Sequence, residues 1–343
     1  MGDKRLKQIK LTEPGKLIIA DVKEPQISKP DDVKIKVAYS AINMEDISFF
    51  KQDLNRLLWS SPVGTIGHEF SGVVVDAGPA AVENGFSQGT RVTGTIYKFC
   101  GTCFYCMDAK ENHCYNIKMA SGTMSEYIVW SASQLIKLPD RISLQCGCLS
   151  DTIGNALHAI DRSNLRVGNK TLIQGASALG LIILQLAKMR GATHITLFDY
   201  SEKNRELALK LGAELAVDPL NDIIPSAVSI IPDMLGYDIV IEVSSDYRLL
   251  ALAPKMLARQ GTLLFSGTYG LTKLLPVTIA ELYLKEAAII PFYRSAYMLP
   301  RIKNIMDNLI LEPLVHVCRL DEAEDAFRLA QENQYPKILL EFP

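Results

Sequence analysis

The chain has 343 residues, of which 48% are hydrophobic and 22% are charged, and its formal net charge at pH 7 is −2. This length predicts two domains, and the nearly balanced charge gives no electrostatic reason to expect binding to nucleic acid. No apolar run reaches the roughly 18 residues that a bilayer span needs, so no membrane association is expected. The N-terminal residues lack a following apolar segment, which argues against a signal peptide and makes the cytoplasm the expected compartment.

The N-terminal part of the chain is typical of an all-β domain. Residues 8–40 contain short predicted strands separated by prolines, and Val33–Tyr39 alternates apolar and polar residues as a half-buried strand does. Further strands are predicted at Val73–Val75, Arg91–Thr95 and Ser125–Trp130. Many short strands with frequent glycines favour a barrel-like architecture.

A cluster of cysteines interrupts this β domain. In a chain without a secretion signal, such a cluster favours a metal site over disulfides, and a spacing of two residues strains a disulfide. Four thiolates predict a closed, tetrahedral zinc site that holds a lobe of the protein and has no open position for chemistry. The four predicted ligands are Cys100, Cys103, Cys106 and Cys114.

The stretch from Lys170 to Asp199 predicts a dinucleotide-binding unit. A short apolar strand at Thr171–Ile173 leads into the turn Gly175–Gly180, which has the form G-x-S-x-x-G. An apolar helix is predicted at Leu181–Met189, and a second strand at Ile195–Phe198 ends on Asp199. Asp199 follows the glycine turn by roughly 20 residues, which is the spacing that dinucleotide-binding units show.

The residue types in this unit suit NAD. Gly175 permits a tight turn, Gly180 lets the helix pack close to the sheet, and the helix N-terminus favours the pyrophosphate. Asp199 would accept hydrogen bonds from the adenosine ribose and would repel the 2′-phosphate of NADP. Ser177 replaces the usual middle glycine, but it is small enough for close approach of a phosphate. The alternative is an ordinary crossover in which Asp199 caps the next helix.

The rest of this region predicts a parallel sheet with its ligand at the carboxyl ends of the strands. Ser201 is a good N-cap for a helix that reaches Leu211, Gly212 is a good helix stop, and Glu214–Val217 predicts a third strand. The strand ends at Val243-Ser244 and Ser266-Gly267 are expected to line the nicotinamide. The alternative is that they are ordinary tight turns with no ligand role. The predicted cofactor-binding residues are Gly175, Ser177, Leu179, Gly180, Asp199, Val243, Ser244, Ser266 and Gly267.

Together, the Gly67-His68-Glu69 run, the four-cysteine lobe and the unit at Gly175 resemble the zinc-containing alcohol and polyol dehydrogenases (sorbitol and threonine dehydrogenases among them) of the medium-chain dehydrogenase/reductase family. The resemblance covers essentially the whole chain. It implies an α/β protein with a GroES-like catalytic domain at 1–150, completed by about 290–343, and a Rossmann domain at 151–289. It also implies hydride transfer to a small-molecule substrate in the cleft between the domains, and a homodimer or homotetramer.

The resemblance also places a catalytic metal, although this chain departs from the family there. The first ligand, a cysteine in the family, corresponds to Asn43, and the second corresponds to His68 with Glu69 beside it. The third ligand is placed at Asp151, with Cys148 as the competing register.

Two further positions near the predicted metal carry acids. The family's Ser/Thr proton relay is replaced by Glu45, and Asp46 keeps the acidic residue that follows it. An asparagine carbonyl is a weak zinc ligand, but the added carboxylates would make a harder site for zinc or manganese around His68. The alternative is a histidine with no ligand role, as in the metal-free quinone oxidoreductases, and a solvated Glu45.

The predicted function is NAD-dependent oxidation of a secondary alcohol or polyol, in which a metal polarises the substrate oxygen and Glu45 or a water carries the proton out. A second hypothesis is a metal-free NAD(P)H reductase of activated carbonyls or double bonds, with Glu45 as the proton donor. Two others are a nucleotide-binding sensor without activity and a lyase or epimerase that uses bound NAD transiently. The loops at Phe49–Trp59 and Pro291–Tyr297 are expected to shape the substrate pocket.

Overall fold

A computed structural model describes residues 5–13, 15–51, 64–120, 122–220, 235–267, 269, 272–296 and 298–343. The chain divides into two compact units, one formed by Met1–Gly154 with Ala296–Pro343 and the other by Asn155–Ser295. Residues 52–59 and Tyr297, which belong to the predicted pocket loops, lie outside the described residues.

The first unit begins with strands that form most of its structure. The described strands are β1 Arg5–Glu13, β2 Lys16–Lys23, β3 Asp32–Ile42, β4 Gly64–Thr65, β5 Phe70–Ala77, β6 Arg91–Gly94, β7 Tyr97–Lys98, β8 Lys118–Met119, β9 Tyr127–Ser131 and β10 Leu135–Lys137. The helices are α1 Met44–Lys51, α2 Pro79–Glu83, α3 Phe104–Met107 and α4 Leu144–Gly147, and α5 Ser150–Arg162 continues into the second unit.

Strands and helices alternate in the second unit. Its described strands are β11 Lys170–Gln174, β12 His194–Phe198, β13 Leu215–Val217, β14 Tyr237–Glu242, β15 Leu257–Phe265 and β16 Ala288–Pro291. Its helices are α6 Ala178–Arg190, α7 Glu202–Lys210, α8 Tyr247–Met256 and α9 Ile279–Lys285.

The chain then completes the first unit. The returning elements are α10 Leu299–Ile305, β17 Val315–Arg319, α11 Ala323–Gln331 and β18 Lys337–Glu341. Single turns of 3-10 helix lie at Glu111–His113, Ala132–Gln134, Met306–Asn308, Glu312–Leu314 and Leu320–Glu322.

The main sheet of the first unit joins the early strands to the returning ones. Among the described residues its strand order is β10-β6-β5-β3-β18-β17, and β9 also pairs with β3. Strand β18 runs antiparallel to β3, with Ile338 opposite Ile42. The alternating side chains Val33, Ile35 and Val37 of β3 are fully buried in the core of this unit. The predicted all-β character is therefore confirmed, although β1 and β3 are longer than the short strands expected.

The second unit is a parallel sheet of the doubly wound type. Its strand order among the described residues is β13-β12-β11-β14-β15-β16, which is the arrangement of dinucleotide-binding folds, and every neighbouring pair is parallel. Helix α6 is apolar nearly all round and mostly buried. The Ser201 hydroxyl accepts from the Asn204 N–H at the start of α7, as predicted. The α/β architecture expected for this region is confirmed.

Every helix in the described ranges is too short or too polar to cross a membrane.

Gly180→Ala is expected to weaken NAD binding about tenfold, or about 1.4 kcal/mol. A Cβ at this position would lie 1.9 Å from the carbonyl oxygen of Gly175, so the turn would have to move. Isothermal titration calorimetry measures the change. The control is Gly89→Ala, where φ is +87° and the Cβ would meet nothing within 4 Å. The control should lose stability, by about 1–2 kcal/mol, but keep its NAD affinity. Equal NAD affinity in the two variants would contradict this expectation.

Candidate functional site

Asp46 joins the two loops that carry the predicted catalytic residues. Its side chain is almost fully buried in the first turn of α1, and its carboxylate accepts from the backbone N–H of Asn43 at 2.9 Å and of Gly67 at 3.0 Å. Gly67 has φ of +88°, and a Cβ there would lie 2.6 Å from Oγ1 of Thr123, so only glycine fits. The loop after β3 and the loop before β5 are therefore held together by one carboxylate.

His68 lies in an acidic environment. Its side chain is 17% exposed, and its Nδ1 is 3.8 Å from Oδ2 of Asp46. Burial is the largest single effect and lowers the pKa of His68, but the charges of Asp46, Glu45, Asp151 and Glu69 together raise it above the usual value. The imidazole is therefore well placed to hold a proton or to donate a hydrogen bond.

Two of these acids differ in their access to solvent. Glu45, on α1, is exposed. Asp151, in the first turn of α5, is half-buried, and burial followed by the charge of Glu69 raises its pKa to about 6. Glu45 is therefore the member of this group that can exchange protons with water most directly.

A buried ion pair that the sequence analysis missed lies beside His68. Nζ of Lys337 is 2.7 Å from Oε2 of Glu69, and the two side chains are 8% and 1% exposed. The N–H and the hydroxyl of Thr152 each donate to Oε1 of Glu69 at 2.9 Å. Lys337 also donates to Oγ1 of Thr152 at 3.2 Å and to Oδ1 of Asn43. Burial raises the pKa of Glu69, but these partners, Lys337 above all, bring it below its usual range.

One signal in the sequence could have pointed to Lys337. It comes directly before the apolar run Ile338–Leu340, which forms a buried strand. A lysine at the start of such a strand needs a buried partner unless its ammonium reaches water. The partner cannot be named from the sequence, because it lies far away in the chain.

Cys148, the competing third ligand, lies in a buried hydrophobic cluster. It is fully buried and packs with Tyr39, Ala41 and Leu339. Its thiol donates to the carbonyl oxygen of Tyr39 at 3.7 Å, and burial raises its pKa well above the usual value. A thiol in this state is a poor metal ligand, because coordination requires the thiolate.

The residues predicted for a catalytic metal do not form a metal-binding group as they stand. Within the described ranges, the four clustered cysteines are the only set of at least three His, Cys, Asp or Glu ligand atoms that lie within 4.8 Å of one another. Asn43 and Glu69 both accept hydrogen bonds from Lys337 instead. His68, Asp151 and the exposed Glu45 are the remaining predicted donors, and their ligand atoms do not all lie within 4.8 Å of one another.

The cysteine lobe, by contrast, fits zinc. The Sγ atoms of Cys100 and Cys106 are 3.9 Å apart, and those of Cys100 and Cys114 are 3.5 Å apart. Backbone hydrogen bonds from Thr102 and Cys103 lower the pKa of Cys100 to about 5, whereas burial raises the pKa of Cys106 to about 12. A cation among the four sulfur atoms would allow all of them to ionise, because it removes the repulsion between neighbouring thiolates.

The predicted phosphate-binding turn has the expected backbone geometry. Gly175 has φ of +109°, and a Cβ there would lie 2.8 Å from the backbone of Ser244. Ser177 is the N-cap of α6 with an extended backbone, and its side chain makes no capping bond. The first N–H groups of α6 therefore remain available for an anion. Leu179, also predicted to contact the cofactor, is half-buried in the first turn.

Asp199 lies where the sequence places it, directly after β12. Its Oδ2 accepts from the N–H of Ala176 at 2.7 Å, and its Oδ1 accepts from the N–H of Ser201 at 2.8 Å. Burial raises its pKa, although these hydrogen bonds oppose the shift. The carboxylate is thus fixed against the glycine turn.

The other predicted cofactor residues follow the strand ends beside this turn. Val243 and Ser244 follow β14, and Ser266 and Gly267 follow β15. Because β11 and β14 are neighbours at the switch point of the sheet, this edge is where such folds bind ligands. The sequence analysis did not single out Glu242, whose buried Oε1 accepts from the N–H of Ser244 at 2.8 Å and whose pKa burial raises to about 8.

Comparison with protein families gives two matches. The alcohol dehydrogenase GroES-like domain matches residues 29–140, and the zinc-binding dehydrogenase domain matches residues 178–310. The L-threonine 3-dehydrogenase of Pseudoalteromonas translucida is 33% identical over 245 residues, which are 70% of each chain. The D-arabitol-phosphate dehydrogenase of Enterococcus avium is 28% identical over 98% of each chain.

A solved structure agrees with these relatives. An oxidoreductase of unknown specificity from Escherichia coli superposes with a TM-score of 0.86 at 26% identity, covering 99% of this chain and 100% of the other. It therefore shares the fold over its whole length. Together with the matched domains, these findings show that the chain belongs to the zinc-type alcohol and polyol dehydrogenases of the medium-chain family and is an oxidoreductase.

Proposed function

We propose that this protein is an NAD-dependent dehydrogenase that interconverts a secondary alcohol or polyol and the corresponding ketone. The observation that carries the proposal is the contact of Asp199 with the N–H of Ala176, which joins the ribose-binding acid to the phosphate-binding turn. The relatives named above are dehydrogenases of threonine and arabitol phosphate, compounds that both carry secondary hydroxyl groups. The proposal includes the homodimer or homotetramer that the resemblance implies.

The second unit supplies the cofactor site in this proposal. The N-terminus of α6 at Ser177 binds the pyrophosphate, and Asp199 binds the adenosine ribose and disfavours a 2′-phosphate. Val243, Ser244, Ser266 and Gly267 lie beside the nicotinamide. The bound nicotinamide supplies the hydride acceptor or donor.

The first unit supplies proton transfer. His68 donates a hydrogen bond to the substrate oxygen in the ketone direction and accepts the hydroxyl proton in the alcohol direction. Glu45 passes that proton to and from water, which its exposure supports. Asp46 keeps the His68 loop in place through its bonds to Asn43 and Gly67.

The four cysteines hold a structural zinc in this proposal. Their spacing and short Sγ distances support that role. The catalytic metal predicted at His68, Glu69 and Asp151 has less support, because Lys337 already donates to Glu69 and Asn43. No chemical step is therefore assigned to such a metal.

The contacts of Lys337 with Glu69 and Asn43 favour a second candidate function. A site in which Lys337 supplies the positive charge would suit a reductase of activated carbonyls or double bonds, with Glu45 as the proton donor. Turnover of a ketone or enone with NADH, without measurable oxidation of any alcohol or polyol in a broad panel, would favour this candidate.

Asp199→Ala is expected to raise the KM for NAD about 10- to 100-fold, the effect of losing a charged hydrogen bond worth about 1.5–3 kcal/mol. The KM for NADP should fall relative to that for NAD, because repulsion of the 2′-phosphate is removed. Steady-state kinetics with both cofactors measure the change. Glu214→Gln, which alters a half-exposed acid paired with His194 in the same unit, is the matched control. An unchanged cofactor preference in Asp199→Ala would contradict the proposed role.

His68→Ala is expected to lower kcat at least about 100-fold, since a general acid–base group typically contributes that much. The NAD dissociation constant should be nearly unchanged, because His68 belongs to the other unit. Stopped-flow turnover and calorimetry separate the two effects. The exposed His194→Ala serves as the control. Loss of NAD binding in His68→Ala would refute the assignment.

Cys103→Ser is expected to reduce the zinc content by about one ion per chain and to lower the melting temperature, because the lobe loses a ligand. Elemental analysis and thermal unfolding measure these changes. Cys318→Ser, a buried cysteine outside the lobe, should keep its zinc. Equal zinc content in the two variants would argue against the lobe as the metal site.

A further inference from the structure

Asn43 directs its only good metal-binding atom at Lys337. Its Oδ1 accepts a hydrogen bond from Nζ of Lys337, whereas its Nδ2 is buried and has no partner among the described residues. An amide nitrogen is a donor and does not bind a cation. The residue that stands at the position of the family's first ligand is therefore engaged with an ammonium group.

Glu69 is occupied in the same way. Its Oε1 accepts from the N–H and the hydroxyl of Thr152, and its Oε2 pairs with Lys337 at 2.7 Å. A divalent cation bound through Asn43 and Glu69 would lie close to the Lys337 ammonium in a buried environment. Two positive charges at that distance repel each other strongly where water is excluded.

The position of Lys337 follows from the sheet. Strand β18 pairs with β3 so that Ile338 lies opposite Ile42, and Leu339 lies opposite Ala41. The residue before Ile338 is thereby placed beside the residue after Ile42. The contact between Lys337 and Asn43 is thus set by strand register and does not depend on a flexible side chain reaching out from a loop.

We propose that the Lys337 ammonium is the resident cation of this site and takes the place of a metal ion bound through Asn43 and Glu69. Lys337 is a positioning residue here: it neutralises Glu69 and orients Asn43 beside His68. The inference rests on the dehydrogenase site proposed above. Its test measures metal binding without turnover, so it can fail or succeed independently of the proposed function.

The first experiment counts zinc in the full-length protein after equilibration with zinc and removal of the excess. Wild type and His68→Ala are both expected to hold about one zinc per chain, in the cysteine lobe. Two zinc ions in wild type, falling to one in His68→Ala, would overturn the proposal. This comparison uses no variant of Lys337 and stands whether or not such variants fold.

The second experiment restores the thiolate. Asn43→Cys combined with Lys337→Met is expected to hold two zinc ions per chain, and the same double variant with His68→Ala only one, because a thiolate is a far stronger zinc ligand than an amide oxygen and the competing ammonium is gone. A folded Asn43→Cys, Lys337→Met protein that still holds one zinc would overturn the inference, because the site would then bind no second metal even without the ammonium.

The third experiment removes the ammonium while Asn43 stays in place. Lys337→Met is expected to bind Mn²⁺ at least about tenfold more tightly than wild type in calorimetry, because the carboxylates lose their resident cation. Lys337→Arg keeps the charge and should match wild type. Circular dichroism confirms that each variant is folded. Equal Mn²⁺ affinity in wild type and folded Lys337→Met would overturn the proposal.

Discussion

The antiparallel pairing of β18 with β3 is the constraint on which the site of the first unit depends. It places Lys337 beside Asn43, although the two residues are 294 positions apart in the chain. The paired strands are buried, so a slip of one residue would turn apolar side chains out of the core, and the register is strongly specified. The positive charge of Lys337, at the start of β18, therefore lies at a defined position beside the end of β3.

This charge balances an acidic group of residues. Lys337 and Glu69 are both nearly fully buried, and removing one partner of such a pair typically costs about 3–5 kcal/mol. Thr152 satisfies the other carboxylate oxygen of Glu69, so the pair carries the additional hydrogen bonds that a buried ion pair needs. Asp151, another acid near His68, has a raised pKa mainly because it is buried and because the charge of Glu69 lies close to it.

The sequence predicted the second unit well because its signals are local. The helix expected at Leu181–Met189 is α6, and the cap at Ser201 is present. These features depend on residues within one turn or one strand of each other. The family relationship expected from the Gly-His-Glu run and the cysteine spacing is likewise confirmed by the matched domains.

The first unit was harder to predict because its site depends on non-local pairing. The resemblance pointed to His68 and Asp151, but the cation beside them comes from a strand whose partner cannot be read from either segment alone. Helix α1 was not predicted either. It is only eight residues long and mixes acidic and apolar side chains without a clear helical period. The side chain of Asp46, which anchors this helix to Gly67, is recognisable only once the loops are placed together.

The long separation in sequence between β3 and β18 also determines which parts of the protein can fold first during synthesis. Strand β3 is synthesised early, whereas β18 is synthesised only after all of Asn155–Ser295. The second unit is continuous in sequence and can fold as a whole while synthesis continues. Residues Tyr39–Ile42 of β3 meanwhile lack their partner β18, although Asp32–Lys36 can already pair with β9. An unpaired strand edge invites pairing with other chains. The nascent protein can therefore acquire a nucleotide-binding unit before the residues around His68 receive Lys337, and chaperone protection matters most during that interval.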